Sequence, residues 1–203
     1  GAARYPRWRC HGTGHARDPA RERAGMAAES FLVQALSTLI TEFNRRGLHY
    51  ALAGGWAYSA LVEPRATTDI DLLMLIEQPT REGIQSLLTS QFDSTVVHPA
   101  PMVFQGISIW RCVGIRGGQD VVIDLLLADS EYLKTALSRR RMVVFGELNV
   151  PILAIEDLIV LKTLAGRLQD QADLEKIRAR QDELHVDWSY VDGWKIKLNL
   201  REK

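Results

Sequence analysis

The residues with the clearest chemical potential are two aspartates that lie two positions apart in an apolar segment. Asp69 and Asp71 flank Ile70 and precede Leu72 and Leu73. Residues i and i+2 of a β-strand project from the same face, so the two carboxylates stand side by side. Each raises the pKa of the other unless a divalent cation stabilises both ionised forms. Carboxylates are ligands that hold Mg²⁺ together with substrate phosphates, so the pair predicts a metal site.

A third acid, Asp124, interrupts the apolar run from Val121 to Leu127. A buried charge is costly unless it has a partner, and a metal ion shared with Asp69 and Asp71 would be one. This requires the two strands to be neighbours. Two metal ions held by three carboxylates are able to activate an attacking oxygen and to neutralise a leaving pyrophosphate.

Gly54 and Gly55 lie after a short apolar segment and before a short helical one. At such a strand-to-helix turn, backbone N–H groups and the start of the helix can receive a phosphate. A Gly-Gly pair is also an ordinary turn, and neither a G-x-G-x-x-G nor a Walker A pattern accompanies it. The pair gains meaning only beside the acidic residues that follow it.

The combination resembles the signature of the polymerase-beta-like nucleotidyltransferase superfamily, which has a Gly-Gly or Gly-Ser turn, a short helix, Asp-x-Asp and a lone Asp on a later strand. The resemblance covers about residues 50–127 and is carried by "LAGGWA" and "PRATTDIDLL". "RATTDIDLL" is most similar to abortive-infection type toxin nucleotidyltransferases, whereas "GGWA" with "DIDLL" is also similar to aminoglycoside nucleotidyltransferases. A weaker similarity extends through Glu156-Asp157-Leu158 and from Lys162 to Asp173.

The resemblance implies a role for each residue of the motif. Gly54 and Gly55 would cradle a nucleoside triphosphate, Asp69 and Asp71 would hold Mg²⁺ or alternatively Mn²⁺, and Asp124 would be the third catalytic acid and metal ligand. Many members have Ser after the first Gly, where this chain has Gly55. Backbone contacts must then replace a hydroxyl contact to phosphate.

Two basic residues are candidate nucleotide-binding groups. Arg65 is either a solvated loop residue or a phosphate ligand, and Lys162 lies either on an exposed helix face or, as similar toxins suggest, against phosphate. The charged residues Arg167, Asp170 and Asp173 are expected to form helix-surface pairs. Trp56 is expected in the core rather than as a base-stacking platform.

The hydrophobic patterns predict an α+β fold: a mixed-sheet nucleotidyltransferase core flanked by helices, over residues 26–150, and a helical C-terminal part, over residues 151–203. Helices are expected near 31–46, 56–62, 80–90, 130–139, 155–166 and 169–183. Strands are expected at 50–53, 69–76, 94–98, 107–115, 121–127 and 142–145. Gly117-Gly118 predicts a hairpin between the fourth and fifth strands.

Composition indicates a globular protein without a membrane span. Of 203 residues, 46% are hydrophobic and 25% charged, and the formal net charge is zero. Two cysteines give neither a disulfide framework nor metal-ligand spacing, so a cytoplasmic location is expected. Residues 1–25 are rich in arginine and lack apolar periodicity, which predicts an unstructured leader. Cys10, His11 and His15 lie close together in this segment, and their proximity is more simply explained as incidental than as a metal site.

The sequence therefore predicts a Mg²⁺-dependent enzyme that moves a nucleoside monophosphate from an NTP to an acceptor and releases pyrophosphate. In the toxin group the acceptor is tRNA or a partner protein, often a cognate antitoxin, and the Arg-Ala-Thr-Thr run favours this group. A drug hydroxyl is the acceptor in the aminoglycoside group. The alternative of another class is a non-catalytic nucleotide-binding module with the same fold.

Overall fold

The structure is a computed structural model that describes the backbone of residues 19–200 and the side chains of residues 31–200. The histidines and the cysteine noted in the leader lie outside the described residues. Within residues 19–200, no helix is both long enough and apolar enough to cross a membrane.

The first helix, α1 (Pro19–Arg45), starts ahead of Met26, where the folded chain was expected to begin. Pro is favoured at the first helical position, and the Ala, Arg and Glu residues that follow are strong helix formers, so helix propensity extends the element toward the N-terminus. Its apolar stripe, including Leu36, Leu39 and Phe43, is buried. Gly47, at φ +65°, follows the helix in the left-handed conformation typical of a helix stop.

Eight strands form one mixed sheet, in the order β3-β5-β6-β2-β1-β8-β7, with β4 added on β5. They are β1 (Tyr50–Leu52), β2 (Asp69–Met74), β3 (Ser94–Val97), β4 (Met102–Phe104), β5 (Ile107–Arg116), β6 (Gln119–Leu127), β7 (Arg141–Phe145) and β8 (Leu148–Ile152). The pairs β2 with β6 and β1 with β8 are parallel, and the others are antiparallel. The predicted hairpin is confirmed: β5 and β6 meet at Gly117 and Gly118, both at positive φ.

The remaining helices are α2 (Gly54–Leu61), α3 (Arg81–Leu88), α4 (Glu131–Ser138), α5 (Ile155–Ala165), α6 (Leu168–Ala179), α7 (Gln181–Leu184) and α8 (Trp188–Lys197). Residues from Ile155 onward are thus largely helical, as predicted. The expected boundary between residues 150 and 151 falls inside β8, so the final strand of the sheet belongs to the core rather than to the helical part.

The sheet separates two apolar cores. One packs α1 and α3 against alternate residues of the central strands, among them Ile70, Leu72 and Ile123. The other packs α4, α5 and α8 against residues of the opposite face, including Leu73. Since side chains alternate along a strand, the aspartates of β2 and β6 project from the face that carries the C-terminal helices.

Candidate active site

The fold brings the three predicted carboxylates to one place. Strands β2 and β6 are parallel neighbours, and their register sets Asp71 directly beside Asp124. Asp69 lies two residues before Asp71 and shares its face of the sheet. The requirement that the two strands be adjacent, which the sequence left open, is met.

Asp71 is the most perturbed acid of the group. Burial, together with the charges of Asp69 and Asp124, raises its pKa to about 7, although Arg167 and Lys162 act in the opposite direction. Its carboxylate lies against the backbone of Gly54, because a Cβ built at that glycine would overlap the Asp71 oxygen. Near neutral pH the group is therefore poised between its neutral and ionised forms.

Asp69 is held at the start of β2 by two neighbours. The Thr67 hydroxyl donates a hydrogen bond of 3.1 Å to its carboxylate. The indole N–H of Trp56 donates one of 3.0 Å to its backbone carbonyl. Trp56 is partly buried and packs on the first apolar core, in agreement with the expectation that it is a core residue.

Asp124 has a partner that the sequence reasoning missed. Arg111 of β5 stands opposite it in the register and donates two hydrogen bonds to its carboxylate, Nε to Oδ1 at 2.8 Å and Nη2 to Oδ2 at 2.6 Å. This hydrogen bonding raises the pKa of Arg111. The pair satisfies a nearly buried acid with an arginine whose side chain remains 51% exposed.

Within residues 31–200, no group of three or more Asp, Glu, His or Cys side chains is arranged as a ready metal cage. The donors nevertheless suit Mg²⁺ or Mn²⁺: they are carboxylates on one face, and the raised pKa of Asp71 is the effect that a divalent cation would reverse. Asp69, Asp71 and Asp124 would hold it.

The two glycines form the start of α2. Gly54 has φ +54°, and a Cβ at Gly55 would lie 2.8 Å from both Arg65 Nη2 and Thr67 Oγ1. The residue before the helix, Ala53, supplies no side-chain cap. The first N–H groups of α2 are thus available to an anion beside the carboxylates.

Lys162 lies in a buried cluster rather than on an exposed helix face. Its Nζ donates hydrogen bonds to Asp170 Oδ1 at 3.2 Å and to Asp173 Oδ2 at 2.5 Å. Both aspartates are buried, so the expectation that they lie on the helix surface is wrong, although Arg167 and Asp170 do form the expected pair at i and i+3. The physical reason is that α6 packs back on α5, which brings its acids to the end of the Lys162 side chain.

The other two cations of this region are more accessible. Arg65 Nε lies 3.8 Å from Asp173 Oδ1, too far for a hydrogen bond, and its guanidinium lies 5.6 Å from the Tyr58 ring centroid. Arg167 donates to Asp170 Oδ2 at 2.8 Å and is largely exposed. Its field reaches Asp71 and Asp69, so the rim of the site includes Arg167 as well as Arg111.

Comparison with solved structures identifies the fold. The structure of ANT(2'')-Ia in complex with adenylyl-2''-tobramycin is 15% identical in sequence, has a TM-score of 0.56 and covers 83% of this chain and 97% of that one. A candidate nucleotidyltransferase from Thermotoga maritima is 14% identical, with a TM-score of 0.50 and coverage of 74% and 94%. No family model matches the chain, and no curated protein matches its sequence significantly. The similarity shows a nucleotidyltransferase fold.

Proposed function

We propose that this protein transfers a nucleoside monophosphate from an NTP to an acceptor hydroxyl, with Mg²⁺ as cofactor and pyrophosphate as the leaving group. One observation carries the proposal. Asp71 stands beside Asp124 and on the same face as Asp69, and its carboxylate touches the glycine that opens α2. Acids for a cation and backbone donors for a phosphate thus meet at one point.

The glycine turn is the proposed triphosphate site. Gly54 and Gly55 would offer backbone N–H groups to phosphate oxygens, and their missing side chains let the Asp71 carboxylate and the Arg65 guanidinium lie close to the turn. Arg65, next to Gly55, would add a charge-assisted contact. Lys162 remains a candidate, but its ammonium already has two carboxylate partners, so its contribution would be mainly to the field at Asp71.

In the reaction, the acceptor oxygen forms a bond to the α-phosphorus while the bond from that phosphorus to the bridging oxygen breaks. The electron pair of the broken bond leaves with pyrophosphate, and the hydroxyl proton passes to a carboxylate of the site and then to water. Bound Mg²⁺ supplies charge neutralisation and a Lewis acid. The protein contributes mainly by positioning and by electrostatic stabilisation.

For the acceptor, we propose a tRNA or protein hydroxyl, as in the toxin-like group, and the protein acceptor includes a cognate antitoxin. The rim supports this choice, because Arg111 and Arg167 have exposed side chains whose positive charge, although each is paired with an aspartate, favours a polyanion over a polycation.

A second candidate acceptor is an aminoglycoside hydroxyl. Its support is the similarity over nearly the whole length of a protein that was solved with an adenylylated aminoglycoside. The rim arginines count against it, because aminoglycosides are polycations. When the same enzyme is offered both kinds of acceptor, the first proposal therefore predicts label on tRNA or protein and the second predicts label on the aminoglycoside.

The test offers α-³²P-labelled ATP, CTP, GTP and UTP with Mg²⁺ to the full chain, together with total tRNA, cell protein or a panel of aminoglycosides. We expect label on tRNA or protein, abolished by chelator and by Asp71→Asn, and retained by Asp120→Asn, which changes an exposed acid of the same β6 strand. Labelled drug would favour the second acceptor. Mg²⁺-dependent NTP binding without transfer to any acceptor would favour a non-catalytic binding module.

The carboxylates are expected to differ in role. Asp69→Asn and Asp71→Asn should lose Mg²⁺-dependent NTP binding together with transfer, since the two acids share a strand face and would hold the metal that accompanies the triphosphate. Asp124→Asn should retain NTP binding within a few-fold but transfer at least ~10²-fold more slowly, a loss typical of removing one electrostatic element. Calorimetric NTP titration beside the transfer assay checks this. Near-normal transfer by Asp124→Asn would remove that residue from the active site.

A further inference from the structure

Asp124 is expected to hold a metal, yet in the structure its carboxylate is paired with Arg111. Both oxygens of Asp124 accept hydrogen bonds from one guanidinium, at 2.8 Å and 2.6 Å. The side chain of Asp124 is 8% exposed, whereas that of Arg111 is 51% exposed. One member of the pair is fixed in the sheet, and the other borders on solvent.

Such a bidentate, charge-assisted pair is among the strong interactions of a protein. A divalent cation needs the same oxygens, so the guanidinium and the cation compete for Asp124. Arg111 can yield without a change of the backbone, because about half of its side-chain surface is already exposed and its side-chain hydrogen bonds to the described residues all go to Asp124. Asp124 has no comparable freedom.

We propose that Arg111 is a positioning residue that occupies the cation side of Asp124 in the metal-free protein and sets how tightly a divalent cation binds there. The inference rests on the proposed function, because it takes Asp124 as a metal ligand. Arg111 stabilises the metal-free fold by pairing a nearly buried acid, and by the same contact it weakens cation binding. Its guanidinium is released toward solvent when the cation binds.

The register supports this assignment over a general structural role. Arg111 and Asp124 face each other in an antiparallel pair that is fixed by the tight turn at Gly117 and Gly118. The guanidinium also lies within the electrostatic reach of Asp69 and Asp71.

The experiment measures Mn²⁺ binding to the full chain without nucleotide, from the electron paramagnetic resonance signal of free Mn²⁺. Arg111→Ala should bind Mn²⁺ more tightly by tenfold or more, because charged hydrogen bonds contribute on the order of a tenfold to hundredfold factor. Arg111→Lys keeps the charge but loses the bidentate guanidinium, so its Mn²⁺ affinity should lie between that of the wild type and that of Arg111→Ala. Arg141→Ala removes an exposed arginine from β7, at the far edge of the sheet, and should match the wild type.

Thermal melts give a readout that keeps the test valid if a variant is unstable. In chelator, Arg111→Ala should melt below the wild type, because Asp124 is left without its partner. Added Mn²⁺ should raise its melting temperature more than that of the wild type. The double variant Arg111→Ala with Asp124→Asn should lose the gain in Mn²⁺ affinity.

Unchanged or weaker Mn²⁺ binding by Arg111→Ala, when the wild type binds Mn²⁺ and Asp71→Asn does not, would overturn the inference and leave the proposed function standing. Absence of Mn²⁺ binding by the wild type and by all variants would overturn both. A gain in affinity that persists in the double variant would also refute the role of Asp124.

Discussion

The raised pKa of Asp71 makes a stability prediction for the metal-free protein that needs no substrate. Burial and two neighbouring carboxylates raise this pKa from 3.8 to about 7. Below pH 4 the group is protonated in both the folded and the unfolded chain, so it does not lower the free energy of unfolding. Between pH 4 and pH 7 the unfolded chain ionises first, so the fold loses stability as the pH rises, and above pH 7 the cost is constant.

The magnitude follows from the shift. A difference of about three pKa units corresponds to about 4 kcal/mol at pH 8, where the full cost is present, and to about 1.5 kcal/mol at pH 5. These are upper values, because Asp71 is only partly buried by its surface area and local hydration reduces the cost. No hydrogen bond within the described residues contributes to the shift, so asparagine loses no such contact.

We therefore expect Asp71→Asn to stabilise the protein in chelator, and to do so more at pH 8 than at pH 5 by up to about 2.5 kcal/mol. Urea unfolding of both proteins at the two pH values measures it. Asp120→Asn, an exposed acid on β6, should show no comparable pH-dependent gain. A gain that is equal at both pH values, or larger at pH 5, would refute the argument that Asp71 carries a buried, repelled charge.

Three further variants test other contacts. Gly54→Ala should lose Mg²⁺-NTP binding in calorimetry and be less stable than Gly117→Ala, because both glycines have positive φ but only the first would overlap a neighbouring side chain. Arg139→Ala should lower the urea-unfolding free energy by about 3 kcal/mol or more, since it leaves two buried carboxylates of α5 without their ion pair, whereas the exposed Lys134→Ala should not. Lys162→Ala should lower the melting temperature as well as NTP affinity, and normal stability would show that its buried carboxylate contacts are dispensable.

Hydrophobic periodicity predicted most elements because it is a local property of the chain. The two strands that it missed have local reasons. β4 has three residues and follows Pro99 and Pro101 closely. β8 contains Pro151, which normally argues against a strand inside a sheet. The structure accommodates it because β8 pairs with β1 through the single register position of Ile152, so that few ladder hydrogen bonds are at stake on that side.

The candidate site was predictable where the chain places its residues on one strand, and less so where two elements meet. The Asp69 and Asp71 pair follows from strand periodicity alone. Arg111 was within reach of the sequence: a two-residue turn at Gly117-Gly118 pairs Arg116 with Gln119, and continuing that register places Arg111 opposite Asp124. The turn alone predicts the hairpin, and the register counted from it predicts the pair.

The Lys162 cluster could not be predicted in this way. The spacing of Arg167, Asp170 and Asp173 fits the usual surface pairs of a helix, which is a correct statement about one helix in water. Their burial depends on the angle at which α6 returns over α5 after Gly166, which has φ +63°. Packing between helices sets that angle, and no local pattern in the sequence specifies it.

The three carboxylates are accommodated by three different means in the absence of a cation. Asp69 accepts a hydrogen bond from Thr67, Asp71 takes up a proton near neutral pH, and Asp124 is paired with Arg111. A cation displaces the first two easily, because a single hydroxyl contact at Asp69 and a proton near its pKa at Asp71 compete only weakly with a cation for the carboxylate. The bidentate pair is the strongest competitor of the three. Asp69 and Asp71 should therefore accept a cation at lower concentration than Asp124 does. Arg111→Ala should bring the two affinities closer together in an Mn²⁺ titration, whereas two classes of site that stay equally far apart would show that Arg111 does not set the difference.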